Sequence, residues 1–327
     1  MPPAVIHLTA VGGPWAAIIG RGVCRRVITR AAWGAVAWAI AVPAGAQGYL
    51  HAGDIDAMPV GRAGERISYG PDSLEFGELR LPAGEGAPYP VAVIIHGGCW
   101  VARYATLRNT APLASALAGA GIATWNAEYR RADRPGGGWP GTFEDVGRAV
   151  DFIRTLAPKY GLDTTRVIVM GHSAGGHLAL WVAARRRLPA TSALAPAATP
   201  LPLRGVVALA GPPDLRSYYA PDTASCGEGA GELLGGPPAR EAERAHDGSP
   251  SSFFPLGVRQ IWIGAADDQI VPPEQQLAPW AAAARRAGDR VTLTVVPRSS
   301  HFELIAPGTE AYRVVLAAVR SLVSGDQ

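Results

Sequence analysis

Short apolar runs rich in β-branched residues alternate with helical patterns along most of the 327-residue chain. The runs have the length and composition of strands that are buried on both faces, and the segments between them have the apolar spacing or the Ala and Leu content of helices. Residues 73–81 are predicted to form an early antiparallel pair with their neighbour. Further strands are predicted at residues 90–95, 122–129, 166–170, 204–210 and 291–296 and in the segment that begins at residue 261, and helices at residues 142–160, 177–185 and 310–323. This alternation predicts an α/β fold with one mostly parallel sheet and helices on both faces.

The most informative motif lies at the turn between the strand at residues 166–170 and the following helix. Here the sequence Gly171-His172-Ser173-Ala174-Gly175 has the G-x-S-x-G pattern of a nucleophile elbow. Glycines flank the serine because so sharp a corner leaves no room for bulk beside the nucleophile. The helix that follows directs its N-terminal N–H groups at developing negative charge. Ser173 is therefore the candidate nucleophile.

A glycine-rich loop, with the sequence HGGCW at residues 96–100, follows the strand at residues 90–95. It resembles the oxyanion loop of the α/β-hydrolase superfamily, in the form found in hormone-sensitive-lipase-like carboxylesterases and arylformamidase-like esterases. Backbone N–H groups must approach a tetrahedral oxyanion closely, and a Cβ atom would obstruct that approach. The candidate oxyanion donors are therefore the N–H groups of Gly97, Gly98 and Ala174.

Position 99 carries a cysteine where many of these esterases have a third glycine. The relative contributions of Gly97 and Gly98 to an oxyanion hole therefore stay open. His96 is expected to brace the loop by hydrogen bonding, without exchanging a proton with substrate.

The candidate general base is His301. In this fold the triad residues follow one another in the order nucleophile, acid, histidine, so the base is expected far downstream of Ser173. His301 follows the strand at residues 291–296 after a short turn and begins the sequence HFELI, which resembles the corresponding segment of arylformamidase-like esterases. A neutral imidazole there can accept the proton of the serine and return it to the leaving group.

Other histidines are less suited to this role. His246 lies in a polar segment, residues 244–250, that predicts a solvated loop. His172 and His177 flank the elbow, but so tight a turn directs their side chains away from the reacting centre, and we expect packing or rim positions for both.

Two adjacent carboxylates end the strand that begins at residue 261, and either could orient His301. In similar esterases the acid is commonly followed by two residues and then a Val-Pro pair, and Asp268 keeps that spacing to Val271 and Pro272. The G-x-x-D spacing from Gly264 selects Asp267 instead. We favour Asp268, because the Val-Pro turn fixes the direction in which the chain leaves the acid. The other aspartate is then expected to be a solvated turn residue.

The resemblance covers roughly residues 67–325 and implies a serine hydrolase that cleaves a small carboxylic ester through an acyl-enzyme intermediate. An arylformamidase-like amidase is the first alternative. A prolyl-oligopeptidase-like peptidase is less favoured, because of the H-G-G-x-W loop and because no propeller-sized N-terminal region is present. A non-catalytic binding module on the same fold typically lacks the serine or the histidine, and this chain has both.

No cofactor or metal is predicted. The cysteines and histidines form no cluster with metal-ligand spacing. The glycine run at residues 136–138 lacks the strand-to-helix context of a phosphate cradle.

Residues 1–46 are predicted to be a signal peptide with an over-long N-terminus. Residues 25–30 form a positively charged region, residues 31–42 an apolar region and residues 44–46 an A-x-A cleavage site before Gln47. We therefore expect export to the periplasm or the extracellular space, with no stable membrane span after cleavage. An uncleaved anchor is the alternative, which the short apolar run disfavours.

A single α/β-hydrolase domain is expected at residues 47–327, because no linker or repeat interrupts its motifs. The chain is 48% hydrophobic and 17% charged, enough apolar content for a large core. Its formal charge of +3 arises in the first 46 residues, which hold four arginines and no acidic residue; the rest has 26 basic and 27 acidic residues. A net charge of −1 gives no support to a nucleic-acid partner, so the expected partner is a small-molecule ester.

Two cysteines, Cys99 and Cys226, remain after the predicted cleavage. In an oxidising compartment we expect a disulfide between them, and two separate buried thiols are the alternative. Cys226 lies in the stretch around residues 211–254, which is predicted to be irregular. Hydrolases of this type often insert a lid or substrate wall at this place, so we expect a lid-like insertion there.

Overall fold

Eight strands form one sheet in the part of the chain that the structure describes. The structure is a computed structural model, and it describes residues 48–84, 86–220 and 226–324. The strands are β1 (Glu65–Ser68), β2 (Phe76–Arg80), β3 (Tyr89–Ile95), β4 (Ala123–Ala127), β5 (Leu162–His172), β6 (Gly205–Leu209), β7 (Arg259–Ala265) and β8 (Val291–Val296). The predicted signal peptide at residues 1–46 lies outside the described residues.

The sheet has the strand order β1-β2-β4-β3-β5-β6-β7-β8. β1 pairs with β2, and β2 with β4, in antiparallel orientation, whereas every pair from β4 to β8 is parallel. The register aligns Ile95 of β3 with Gly171 of β5, and His172 of β5 with Leu209 of β6. The loops after these strands therefore meet at one edge of the sheet, where the carboxyl ends of parallel strands commonly hold an active site.

Eleven α-helices lie in the described ranges: α1 (Ala52–Ala57), α2 (Ala111–Gly119), α3 (Gly141–Asp151), α4 (Ile153–Tyr160), α5 (Ala174–Ala184), α6 (Leu215–Tyr218), α7 (Gly227–Leu234), α8 (Ala242–Gly248), α9 (Pro273–Gln276), α10 (Ala278–Arg286) and α11 (Glu310–Val323). Short 3₁₀ turns occupy Leu107–Thr110, Arg185–Arg187, Pro250–Phe253 and Phe302–Ile305. None of the helices among these residues is long and apolar enough to cross a membrane.

The core lies on both faces of the central strands. Every residue of β6 is buried, as are the last six of β5, and this explains why these strands read as continuous apolar runs. α5 is also buried along its whole length. The described residues from Gly48 onward form one compact unit.

Two local predictions were wrong. The helix expected at residues 142–160 is divided into α3 and α4 at Phe152, and Pro158 inside α4 has no N–H group to donate along the helix. The spacing of the predicted helix places Asp145 on its polar face, where a solvated carboxylate is expected. Asp145 is instead buried, and its carboxylate accepts hydrogen bonds from the backbone N–H and the guanidinium group of Arg130. A paired buried carboxylate cannot be distinguished from a solvated one by helical spacing alone.

The stretch at residues 211–254 is helical rather than irregular where it is described. It carries α6, α7, α8 and a 3₁₀ turn, and Leu215, Leu233 and Leu234 belong to the core. These helices are too short for a clear period in the sequence, and their stability comes from tertiary packing. α8 includes His246, which was expected in a loop; its side chain is half exposed and lies against Asp247.

Candidate active site

Ser173 occupies a strained turn between β5 and α5. Its backbone angles are φ 56° and ψ −123°, a region that non-glycine residues rarely adopt. A Cβ atom at Gly171 would lie 2.1 Å from the carbonyl oxygen of Gly175, and one at Gly175 would lie 2.1 Å from that of Ile95. The Ser173 N–H donates to Leu209 O at 2.8 Å and so fixes the turn to β6. The glycines of the motif are thus required by close backbone packing.

His301 and Asp268 form a buried pair. The Nδ1 atom of His301 lies 2.7 Å from Oδ2 of Asp268, and Asp268 is only 1% exposed. The other carboxylate oxygen accepts hydrogen bonds from the backbone N–H groups of Ile270 and Val271, at 2.8 and 2.9 Å. This turn holds the carboxylate in one orientation. With the hydrogen of His301 on Nδ1, the Nε2 atom is available as a base.

Asp267, the alternative acid, does not face His301. Its side chain is partly exposed and accepts a hydrogen bond from the hydroxyl of Tyr49 at 2.6 Å. Between the two aspartates, the structure therefore brings only Asp268 to the histidine.

The loop after β3 lies directly against the serine. A Cβ atom at Gly97 would lie 3.1 Å from the Cβ atom of Ser173, and one at Gly98, where φ is +101°, would lie 2.8 Å from Cβ of Ala105. Ala174 begins α5, so its N–H has no partner within the helix. The three candidate oxyanion donors thus lie on backbone segments beside Ser173.

His96 braces this loop, as expected from the sequence. Its ring Nδ1 lies 2.8 Å from Gly97 O, and its Nε2 lies 2.8 Å from the carboxylate of Glu128. Glu128 also accepts hydrogen bonds from Arg131 and from the backbone N–H of Leu107. Burial acts to raise the pKa of Glu128, but the attraction and hydrogen bond of His96, together with Arg131, outweigh it and lower this pKa to about 2.

Replacing Glu128 with glutamine is expected to reduce the free energy of unfolding at pH 7 by about 3 kcal/mol, because Arg131 then loses its buried counter-charge. The folded-state pKa of Glu128 lies below the ordinary value of 4.5, so the carboxylate stabilises the fold above pH 4.5 and this contribution is lost as the pH falls towards 2. Urea unfolding at pH 7 and pH 3 measures both effects. The difference in the free energy of unfolding between variant and wild type should be smaller at pH 3 than at pH 7.

The matched control is Glu232→Gln, which removes the exposed ion pair with Arg103 and should cost less than about 1 kcal/mol. Equal losses in the free energy of unfolding for Glu128→Gln and Glu232→Gln would contradict the larger contribution of the buried Glu128 carboxylate.

Cys99 and Cys226 are joined by a disulfide that connects the glycine-rich loop to the start of α7. α7 also packs closely on the loop, because a Cβ atom at Gly229 would lie 2.2 Å from Cys99 O. α7 is therefore attached to the candidate oxyanion loop both covalently and by packing.

Removing this disulfide in a Cys99→Ser/Cys226→Ser variant should destabilise the protein by about 4 kcal/mol, because the bond closes a loop with a sequence separation of 127 residues. We expect a lower Tm and a broader preference for ester chain length together, since α7 is then freer to move. Scanning calorimetry and a series of nitrophenyl esters measure the two effects. A reductant should change the wild type in the same way and leave the double variant unaffected; mass mapping that finds both thiols free in the unreduced protein would reject the bond.

The N-terminal segment of the described chain contacts both loops that carry the His301–Asp268 pair. Tyr49 donates to Asp267, next to Asp268, and the N–H of Leu50 donates to the carboxylate of Glu303, two residues after His301, at 2.7 Å. Sequence reasoning missed these contacts. Nothing in the residues that follow the predicted cleavage site signals a tertiary partner more than 200 positions away.

His177 and His172 are both buried. The Nδ1 atom of His177 accepts a hydrogen bond from the indole of Trp100, and its Nε2 donates to Gly248 O at 2.8 Å. Burial lowers the pKa of His177 to about 4, so its ring is neutral near pH 7. The packing position expected for His177 is confirmed.

The family model BD-FAE matches residues 78–279 of the chain, which span the elbow, the glycine-rich loop and Asp268. The chain belongs to the BD-FAE family of α/β-hydrolase esterases. Membership confirms the resemblance of the chain to α/β-hydrolase carboxylesterases.

Among curated proteins, the chain is similar to esterase LipC of Mycobacterium tuberculosis, with 30% identity over 160 residues that make up 49% of this chain and 39% of LipC. It is also similar to an isoprenylcysteine alpha-carbonyl methylesterase of Arabidopsis thaliana, with 29% identity over 35% of this chain and 26% of that protein. The chain thus spans less than half the length of these curated relatives.

Solved esterase structures share the fold over most of their length. A truncated carbohydrate esterase from gut microbiota has a TM-score of 0.69 and 23% identity, with coverage of 81% of this chain and 97% of that one. An esterase of the Planctomycetes species Thermogutta terrifontis has a TM-score of 0.64 and 21% identity, with coverage of 80% and 92%. At these identities the similarity establishes the fold alone, and the predicted α/β-hydrolase fold is confirmed.

Proposed function

We propose that the protein is a serine hydrolase that cleaves small carboxylic esters through an acyl-enzyme intermediate. The observation that carries this proposal is the buried His301–Asp268 pair, which contacts His172 next to the strained turn of Ser173. The similarity to curated esterases supports it, as does membership in an esterase family.

In this mechanism the Ser173 hydroxyl attacks the ester carbonyl carbon while Nε2 of His301 takes the hydroxyl proton. Asp268 holds the ring and stabilises the imidazolium that forms. The N–H groups of Gly97, Gly98 and Ala174 are the proposed donors to the oxyanion.

Collapse of the tetrahedral intermediate breaks the bond to the alcohol, which leaves with the proton from His301. Water then attacks the acyl-enzyme with His301 as the base. The acid is released, and Ser173 regains its proton.

Labelling with a fluorophosphonate, followed by peptide mapping, tests the nucleophile. We expect modification at Ser173 and none in Ser173→Ala. A panel of nitrophenyl esters of increasing chain length, compared with an N-formyl aryl amide, then tests the substrate class. Modification at another residue would contradict the serine assignment, and faster turnover of the amide would favour the arylformamidase-like alternative.

We also propose that the protein is exported after cleavage between Ala46 and Gln47. The charged and apolar regions that precede an A-x-A site support this, and so does the disulfide, which is typical of oxidising compartments. Fractionation followed by N-terminal sequencing should find Gln47 as the first residue of the exported protein. Retention of the uncleaved chain in a membrane fraction would favour the anchor instead.

A further inference from the structure

His172, the residue before the proposed nucleophile, contacts the proposed general base. It is the last residue of β5 and is 1% exposed. Its ring Nε2 lies 3.0 Å from the backbone carbonyl oxygen of His301, and the two rings are 4.4 Å apart between centroids. The contact joins residues separated by 129 positions in the sequence. The proposed mechanism assigns His172 no role.

The surroundings of His172 fix its hydrogen on Nε2. A carbonyl oxygen only accepts hydrogen bonds, so Nε2 must be the donor in the contact with His301. The Nδ1 atom is buried and has no hydrogen-bond partner among the residues that the structure describes. Protonation there would place an unpaired charge in the interior. Burial, and after it the charge of His301, lowers the pKa of His172 well below its ordinary value, so the ring is neutral.

We propose that His172 is a positioning residue that fixes the backbone of His301 relative to Ser173. Asp268 holds the His301 ring through Nδ1, and His172 holds the same residue through its carbonyl oxygen. Two attachments on different parts of a residue restrict both its position and its rotation. Because His172 is bonded directly to Ser173, the nucleophile and the base share one rigid support.

The neutral state of His172 also matters for the reaction. His301 becomes positively charged when it takes the serine proton, and a second positive charge on a ring 4.4 Å away would oppose that step. His172 can therefore supply a hydrogen bond to His301 without raising the energy of the imidazolium.

This inference rests on the proposed function, and a matched pair of variants tests it. In His172→Gln, the amide nitrogen is three bonds from Cβ, as Nε2 is in histidine, and can still donate to the His301 carbonyl. His172→Met has a side chain of similar length without a donor. We expect His172→Gln to keep kcat within about threefold of wild type. His172→Met should lose about tenfold or more in kcat, with KM changed by less than about twofold.

Thermal unfolding of both variants shows whether the fold is kept, and the second-order rate of fluorophosphonate labelling gives a readout independent of ester binding. Labelling should slow in His172→Met and not in His172→Gln, since activation of Ser173 depends on His301. Equal kcat and labelling rates for His172→Gln and His172→Met would overturn the inference, as would wild-type kcat in His172→Met.

Ser173→Ala, measured alongside, separates this inference from the proposed function. Turnover retained in Ser173→Ala contradicts the serine mechanism and the role of His172 with it. When Ser173→Ala is inactive, full kcat in His172→Met contradicts the role of His172 alone.

Discussion

Ser173→Ala and His301→Ala are each expected to lower kcat by at least about a thousandfold, because nucleophile and base act as one unit in the same step. Alanine at position 173 meets the same positive φ as serine, so the turn between β5 and α5 should form as before. Steady-state hydrolysis of a short nitrophenyl ester measures the loss, and circular dichroism shows that the fold is kept.

Ser192→Ala is the matched control. Ser192 is also buried, and its hydroxyl oxygen accepts a hydrogen bond from the N–H of Leu194 in the segment between α5 and β6. This variant should lose a little stability and keep its kcat. More than a tenth of wild-type kcat in Ser173→Ala or His301→Ala would show that the assignment is wrong.

Asp268→Asn is expected to lower kcat by about a hundredfold or more, whereas Asp267→Asn should stay within about threefold of wild type. The Oδ1 atom of Asp268 already accepts two backbone N–H groups, so the asparagine oxygen would remain there and its NH₂ group would face Nδ1 of His301. That contact forces the hydrogen of the imidazole onto Nε2, which then cannot accept the serine proton.

The comparison of these two variants is informative because they make the same change at adjacent positions. Asp267→Asn alters only a partly exposed carboxylate that accepts from Tyr49. Measuring kcat against pH for both variants would show whether the loss comes from the base. A larger loss in Asp267→Asn would transfer the role to that residue.

Local patterns in the sequence determined the fold class and the places of most elements. The central strands β3, β5 and β6 contain continuous apolar runs because both of their faces are buried, and such a run can be recognised without knowledge of distant residues. α11 begins at the predicted residue because Thr309 caps it. The elbow and the glycine-rich loop are also local, since backbone crowding demands glycine at fixed positions.

Only the tertiary structure decided which groups meet across long distances. The choice between Asp267 and Asp268 depends on which carboxylate the turn before Val271 directs towards His301, and sequence spacing supported both. The burial of Asp145, the packing of helices α6 to α8 and the contact of His172 with His301 likewise depend on chain segments far apart in sequence. Such contacts arise from packing in three dimensions, and a one-dimensional pattern records only the residues that a local turn, strand or helix requires.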